Sequence, residues 1–423
     1  MKTPFAPTRE CAAQLDAADQ LAAFKKEFLF PQHNGADAIY FCGNSLGLQA
    51  RKVSAAIQQE LNDWQQLAVE GYFHAKNPWL FYHEQFSETL AGMMGCHKDE
   101  VTVMNTLTVN LHLMLQSFYR PSGKRNKIMM EAGAFPSDQY ALETVARLHH
   151  LDPDTTIIEI HPRSGEKLLR TEDILATIET HGDELALLLM GGINYYTGQL
   201  YDIATITAAA QRQGAFAGWD LAHVAGNIPM QLHNWNVDFA VWCSYKYLNG
   251  GPGAVGGLFV HEKHGNDPGF PRAAGWWGND ERTRFKMEKG FVPKKGASGW
   301  QISTAQVFNM VSLKASLEHF KVAGIEKLRA KSLELTAYLE YLLGQSSMPF
   351  EIITPKEQEW RGAQLSLYFP ENGKAIHTQM MQQGIICDYR EPGVIRLAPA
   401  PLYCSFNDVY RFYEVLKNMP HAL

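Results

Sequence analysis

Cysteine is scarce in this 423-residue chain, and no two cysteines are spaced for a metal or a disulfide framework. The six stand at 11, 42, 96, 243, 387 and 404, without a Cys-x-x-Cys pair, most of them in apolar runs. That argues against a disulfide scaffold and a cysteine zinc site, and fits reduced, buried thiols in the cytoplasm. No metal centre is expected. No apolar run approaches the ~20 residues of a membrane-spanning helix. The opening MKTPFAPTRE lacks the apolar core of a signal peptide. A basic footprint is missing too: the net charge is −6, and the one cluster, Gly123 to Lys127, is too small for nucleic acid. There is no G-x-x-x-x-G-K-[ST] loop, no internal repeat and no low-complexity segment.

What is present is an ordinary globular composition, 46% hydrophobic and 19% charged, with length for two or three domains. The middle of the chain alternates apolar runs with helical patterns. Strands are expected at Ile128–Glu131, Thr156–Ile160, Leu185–Met190, Ala215–Trp219, Asp238–Cys243 and Gly257–Val260. Helices are expected at 137–149, from Thr171, and at 203–214. Near-continuous apolar strands separated by helices predict a mostly parallel sheet covered on both faces. After about Trp300 a long helical pattern, Ala305 to about Gly344, leads into shorter α/β elements. The chain therefore reads as an N-terminal helical segment (1–40), a large domain (41–304) and a smaller C-terminal α/β domain (305–423).

Several residues carry chemistry. Lys246, in WCSYKYLN, lies between two tyrosines just beyond a buried strand, and a buried ammonium must escape, lose its proton or form a bond. Asp220, in WDLAH, also ends a strand, where open α/β sheets bind ligands. It is either a helix-capping aspartate or a carboxylate that orients a ring nitrogen. A lysine and a carboxylate at neighbouring strand ends form either an ion pair or a pyridoxal phosphate (PLP) site. The Thr-rich start of a helix at Asn105–Thr108 offers N–H groups to a phosphate or is simply capped. Phe135, in FPSD, puts an aromatic ring at another strand end. Arg396, alone in an apolar strand, needs a carboxylate, internal or from an amino-acid substrate. The glycines of Gly251-Pro-Gly-Ala-Val-Gly256 match a dinucleotide motif by letter, but a strand follows them, so they are expected to accommodate something bulky. His261 and His264 read as solvated surface histidines.

FCGNSLGL, NTLTVNLH, FPSDQYA, WDLAHVAGN, WCSYKYLN, GWWG, ERTRFKM and RLAPAPLY, in this order, resemble the kynureninase family, from about Tyr40 to Tyr410. The resemblance implies PLP-dependent transferase fold type I, in the aminotransferase class V group. It also implies hydrolysis of L-kynurenine or its 3-hydroxy derivative to anthranilate (or 3-hydroxyanthranilate) and L-alanine, in tryptophan degradation or NAD biosynthesis. By the same resemblance Lys246 is the Schiff-base lysine, Asp220 partners the pyridine nitrogen, and His223 lies at the ring's polar edge. Phe135 stacks on the ring and Asp138 is a second acid of the cofactor site. Leu107 and Thr108 form the phosphate loop, and Tyr245 contacts the phosphate and relays a proton. Trp276 and Thr304 reach the phosphate across a homodimer interface. Ser45, Tyr72 and Arg396 face the substrate. Gly191 stands where relatives often carry Ser or Thr, so one cofactor contact is expected to be lost. Thr304 and Tyr72 stand where enzymes preferring the 3-hydroxy substrate have Asn and His. A cysteine desulfurase-like PLP lyase of the same fold is the alternative.

Overall fold

The computed structural model describes residues 4–419. Its centre is a seven-stranded sheet: β1 (Val101–Met104), β2 (Lys127–Glu131), β3 (Ile157–Ile160), β4 (Leu185–Gly191), β5 (Phe216–Asp220), β6 (Phe239–Trp242) and β7 (Gly256–Val260). The spatial order is β1-β7-β6-β5-β4-β2-β3. Neighbours from β6 to β3 run parallel, whereas β7 is antiparallel to both β6 and β1. β1, which no periodicity singled out, is only four residues long.

Helices cover both faces, so alternate residues of a strand enter different cores. In β4, Leu187 and Leu189 pack with α3 (Leu107–Phe118) and α4 (Pro136–Leu148). Leu188 and Met190 join the opposite core with α5 (Thr171–Thr180) and α6 (Ile203–Arg212). Six of the seven residues of this strand are buried, which is why it reads as LALLLM rather than as an alternating pattern.

The long pattern expected over 305–344 is two helices, α7 (Val307–Ala323) and α8 (Ile325–Leu343). Gly324, at φ +78°, breaks the run, a conformation open to glycine and costly for other residues. Beyond it, β8 (Glu351–Ile352), β9 (Leu365–Tyr368), β10 (Asp388–Arg390) and β11 (Val394–Leu397) form an antiparallel sheet in the order β8-β9-β11-β10. α9 (Gly373–Gln382) and α10 (Phe406–Asn418) accompany it. A capping box, Ser405 with Asp408, starts α10.

The N-terminal segment is less helical than expected. After α1 (Arg9–Ala18) and a 3₁₀ turn, it continues in two-residue strands, and α2 (Lys52–Leu67) follows. Ile39–Tyr40 pairs in parallel with Ile385–Ile386 of the C-terminal part, and Cys42 bridges to Ala398. The histidine expectation is also corrected. His261 is buried, and His264 bonds the buried Asp238 at 2.7 Å, because β7 ends among polar groups under the sheet edge.

Candidate active site

The carboxyl ends of four adjacent strands point at one cavity of about 130 Å³. Glu131 is the last residue of β2, Gly191 of β4 and Asp220 of β5, while Lys246 lies four residues beyond β6. A parallel sheet aligns these ends, so residues over a hundred positions apart converge without long loops. Leu107 and Thr108 at the start of α3, Phe135 and Asp138 around the start of α4, His223 and Tyr245 also line the cavity. Nine of the residues singled out from sequence thus meet here: Leu107, Thr108, Phe135, Asp138, Gly191, Asp220, His223, Tyr245 and Lys246.

Each is held by a local cause. Pro136 at the first turn of α4 has the fixed φ a helix start needs, so Phe135 is the last residue outside the helix. Its ring is 42% exposed on the cavity, with the Lys246 ammonium 5.9 Å from its centroid and Tyr195 packed edge-on. Thr106 caps α3 without a side-chain hydrogen bond, leaving first-turn N–H groups to an outside acceptor. The glycines that open β7 accommodate Trp242: a Cβ on Gly256 would lie 2.7 Å from its carbonyl oxygen, and one on Gly257 would overlap its indole.

Three buried carboxyls crowd the cavity floor. Asp220 Oδ1 accepts the Ala222 N–H at 2.7 Å in a turn, and no helix follows it, so the helix-capping alternative considered for it is not what the structure shows. Burial raises its pKa, opposed chiefly by the Lys246 charge. Asp138 is raised well above the usual range by burial and then by Asp220, to which it is hydrogen-bonded. Two adjacent carboxyls cannot both ionise cheaply, so Asp138 keeps the proton and Asp220 the charge. Burial pushes Glu131 up to about 8. His223 is driven well below its ordinary value by burial and then by Lys246, so its ring is neutral, and its buried Nδ1 has no partner within the protein. Tyr245 is raised, mainly by burial, and keeps its phenol proton.

Glu131 was not singled out from sequence, although its position closing IMME is the same signal that marked Asp220. It explains Gly191. The Gly191 N–H donates to Glu131 at 3.1 Å, and a Cβ there would stand 3.0 Å from the same carboxylate. Glu131 therefore fills the space that a side chain at 191 would occupy. Ser137, Ile193, Tyr195 and Ala222 complete the lining and carried no sequence signal.

Arg396 lies beside the cavity, 1% exposed, and donates to the carbonyl of Tyr195 at 2.8 Å and to Ser45 Oγ at 3.1 Å. Its two remaining bonds reach Asp388, at 3.1 Å from Nε and 2.8 Å from Nη2. Ser45 donates to Asp388 at 2.6 Å. The internal salt bridge considered for Arg396 thus exists, and its carboxylate comes from β10. Tyr72 packs edge-on to Trp79, Trp276 is 47% exposed against Trp277 and Phe285, and Thr304 is half-buried; none of the three lines the cavity.

The kynureninase of Flavobacterium johnsoniae is 54% identical over 417 residues, covering 98% of both chains. This chain belongs to the kynureninase family. The kynureninase of Myxococcus xanthus is 52% identical over 421 residues, 99% of each chain. The family model of the kynureninase C-terminal domain matches residues 328–416. Among solved structures, a cystine C–S lyase variant with glycine covalently linked to its PLP cofactor superposes with a TM-score of 0.76 at 18% identity, over 91% of this chain and 97% of that one. A cysteine desulfurase of Escherichia coli gives 0.74 at 18%, over 94% and 97%. At that identity they establish the fold, the α/β PLP-enzyme architecture expected from sequence. Within this kynureninase-family fold the cavity at the strand ends is the site described above.

Proposed function

We propose that this protein hydrolyses L-kynurenine, or its 3-hydroxy derivative, to anthranilate (or 3-hydroxyanthranilate) and L-alanine, with pyridoxal 5′-phosphate as cofactor. The observation that carries the reading is near-full-length identity above 50% to kynureninases, with Lys246 and Asp220 facing one cavity. The donor set suits the cofactor: an amine for its aldehyde, an ionised carboxylate for its ring nitrogen, an aromatic face and a free helix N-terminus for its phosphate. The unpartnered His223 Nδ1 is a further polar group without an internal use.

Bound pyridoxal phosphate supplies an electron sink conjugated to the substrate's α-carbon. With the cofactor bound, Asp220, as the charged member of the acid pair, would keep the ring nitrogen protonated, Phe135 would offer its face to the ring, and the Leu107 and Thr108 N–H groups would hold the phosphate. Arg396 and Ser45 bind the substrate's α-carboxylate, which replaces Asp388 on the guanidinium. Tyr72, outside this cavity, is carried to the aryl pocket by the family resemblance alone. Lys246 removes the α-proton, and Tyr245, kept protonated by burial, donates a proton as the bond between Cβ and the hydrated γ-carbon breaks. Trp276 and Thr304 serve the phosphate of a partner in a homodimer. Neither lines its own cavity, and Trp276 is exposed, which supports that assignment. The reaction serves tryptophan degradation or NAD biosynthesis, in the cytoplasm. Six free thiols support that compartment.

The desulfurase reading is disfavoured by the thiols. None lines the cavity, and Cys387 and Cys404 are buried with raised pKa, the opposite of a reactive cysteine. The deciding assay incubates the protein with PLP and L-kynurenine and quantifies anthranilate and alanine. Equal amounts are expected; a PLP-binding protein that forms neither refutes the proposal. Lys246→Ala should lower turnover on the order of 10⁴-fold or more.

A further inference from the structure

At the sheet end opposite the cavity, where β1 begins and β7 finishes, three imidazoles surround one buried carboxylate. Glu100 is 1% exposed. It accepts the N–H of His97 at 2.9 Å, the N–H of Glu262 at 2.7 Å, and Nδ1 of His233 at 3.0 Å. Among the described residues no lysine or arginine pairs with it; its ion-pair neighbours are His233 and, at 3.7 Å, His261. The nearby buried Asp238 differs, for Lys263 reaches it at 2.8 Å. Imidazoles and backbone N–H groups, and no lysine or arginine, thus face this buried carboxylate among the described residues.

We propose that His97, Glu100 and His233 bind one divalent first-row transition ion, Zn²⁺ by donor chemistry. Their ligand atoms all lie within 4.8 Å of one another. Two ligands of one ion at about 2.1 Å stand about 3.0–3.4 Å apart, from square to tetrahedral angles, and the His233–Glu100 separation of 3.0 Å already falls there. Two imidazoles and a carboxylate form a borderline donor set that zinc accepts, with the Nδ1 proton of His233 released on binding. The backbone N–H groups aim the carboxylate, and His261, stacked on His233 at 4.8 Å and 19°, fixes that ring. The Nδ1 of His261 accepts the Lys263 N–H, and the His97 ring caps the turn at Lys98–Glu100 by accepting the Glu100 N–H, so His97 would ligate through its other ring nitrogen. His97 is exposed and gives the ion its route in. The ion would tie the turn before β1 to the loop before β6, a structural role remote from the reaction.

The test uses tag-free, PLP-loaded enzyme equilibrated with micromolar Zn²⁺, desalted, and assayed for bound metal, with Co²⁺ absorption as a second readout. One ion per chain is expected. His233→Ala should weaken binding by more than about a hundredfold, and so should His97→Asn, which keeps a good helix-capping side chain and so separates ligand loss from misfolding. His264→Gln, at Asp238, should bind as the parent does, and kynurenine turnover of His97→Asn should be unchanged. Absence of metal in the parent, or equal metal in the parent and in His97→Asn, overturns the proposal.

Discussion

Glu131 shows how a single side chain can make the site sensitive to pH. Its folded pKa, about 8, stands above the ordinary carboxyl value of 4.5 because burial penalises the charge. The folded chain then holds this proton more tightly than the unfolded one. The associated stability is complete below about 4.5 and is lost as pH rises through about 8. Glu131→Gln removes that loss, so in cofactor-free protein the variant should gain on its parent between about pH 6 and pH 9 in urea unfolding. A constant difference across that range contradicts the assignment. Arg396 makes a second prediction at this scale. Arg396→Gln should raise KM for L-kynurenine roughly 10- to 100-fold, the value of a charge-assisted pair, with a smaller change in kcat. Steady-state kinetics decide it, and an unaltered KM would place the substrate carboxylate elsewhere.

The segment around Ser45 illustrates what an element can do without touching the cofactor. The N–H of Gly47 donates to the carbonyl of Tyr245 at 2.7 Å. A Cβ on Gly47 would lie 2.5 Å from the carbonyl oxygen of Lys246 and would overlap Asn249. The glycine is thus required by close approach of two backbones, and the segment props the loop that carries Lys246. Gly47→Ala should cost about 1–3 kcal/mol by overpacking and loosen PLP binding, read by cofactor titration. Leu46→Ala, whose side chain is partly exposed, should leave PLP affinity near the parent's. Equal affinities in both variants would remove Gly47 from this supporting role.

At the scale of the whole molecule, the N-terminal arm is fastened to the C-terminal part of the chain. Asp16 accepts the N–H groups of Phe406 and Asn407 at the start of α10, and Lys25 reaches Asp408 at 2.6 Å. Asp19 pairs with Lys331 of α8 at 2.8 Å, with both side chains nearly buried. Removing one member of such a pair leaves an uncompensated charge. Lys331→Ala should therefore destabilise the fold by about 3–5 kcal/mol, measured by denaturant unfolding. Lys331→Ala together with Asp19→Ala should recover part of that loss, because the stranded charge is gone. A loss under about 1 kcal/mol in the single variant would show that water reaches Asp19.

Much of this was legible along the chain. Apolar runs of strand length mark buried parallel strands wherever helices cover both faces, and a polar residue ending such a run, as at Asp220, marks the ligand-facing edge. Those signals are local, set by backbone periodicity and by the cost of burying charge. The break at Gly324 was not legible, because glycine within a helical pattern is tolerated as often as it ends one. Nor was the role of Glu131, which depends on Gly191 arriving beside it from 60 residues away. The pairing of Arg396 with Asp388, and of Glu100 with His233, likewise exists only once separate segments meet. Sequence by itself determined which groups needed a partner; tertiary structure decided which partner each received, since burial and distance are properties of the folded chain.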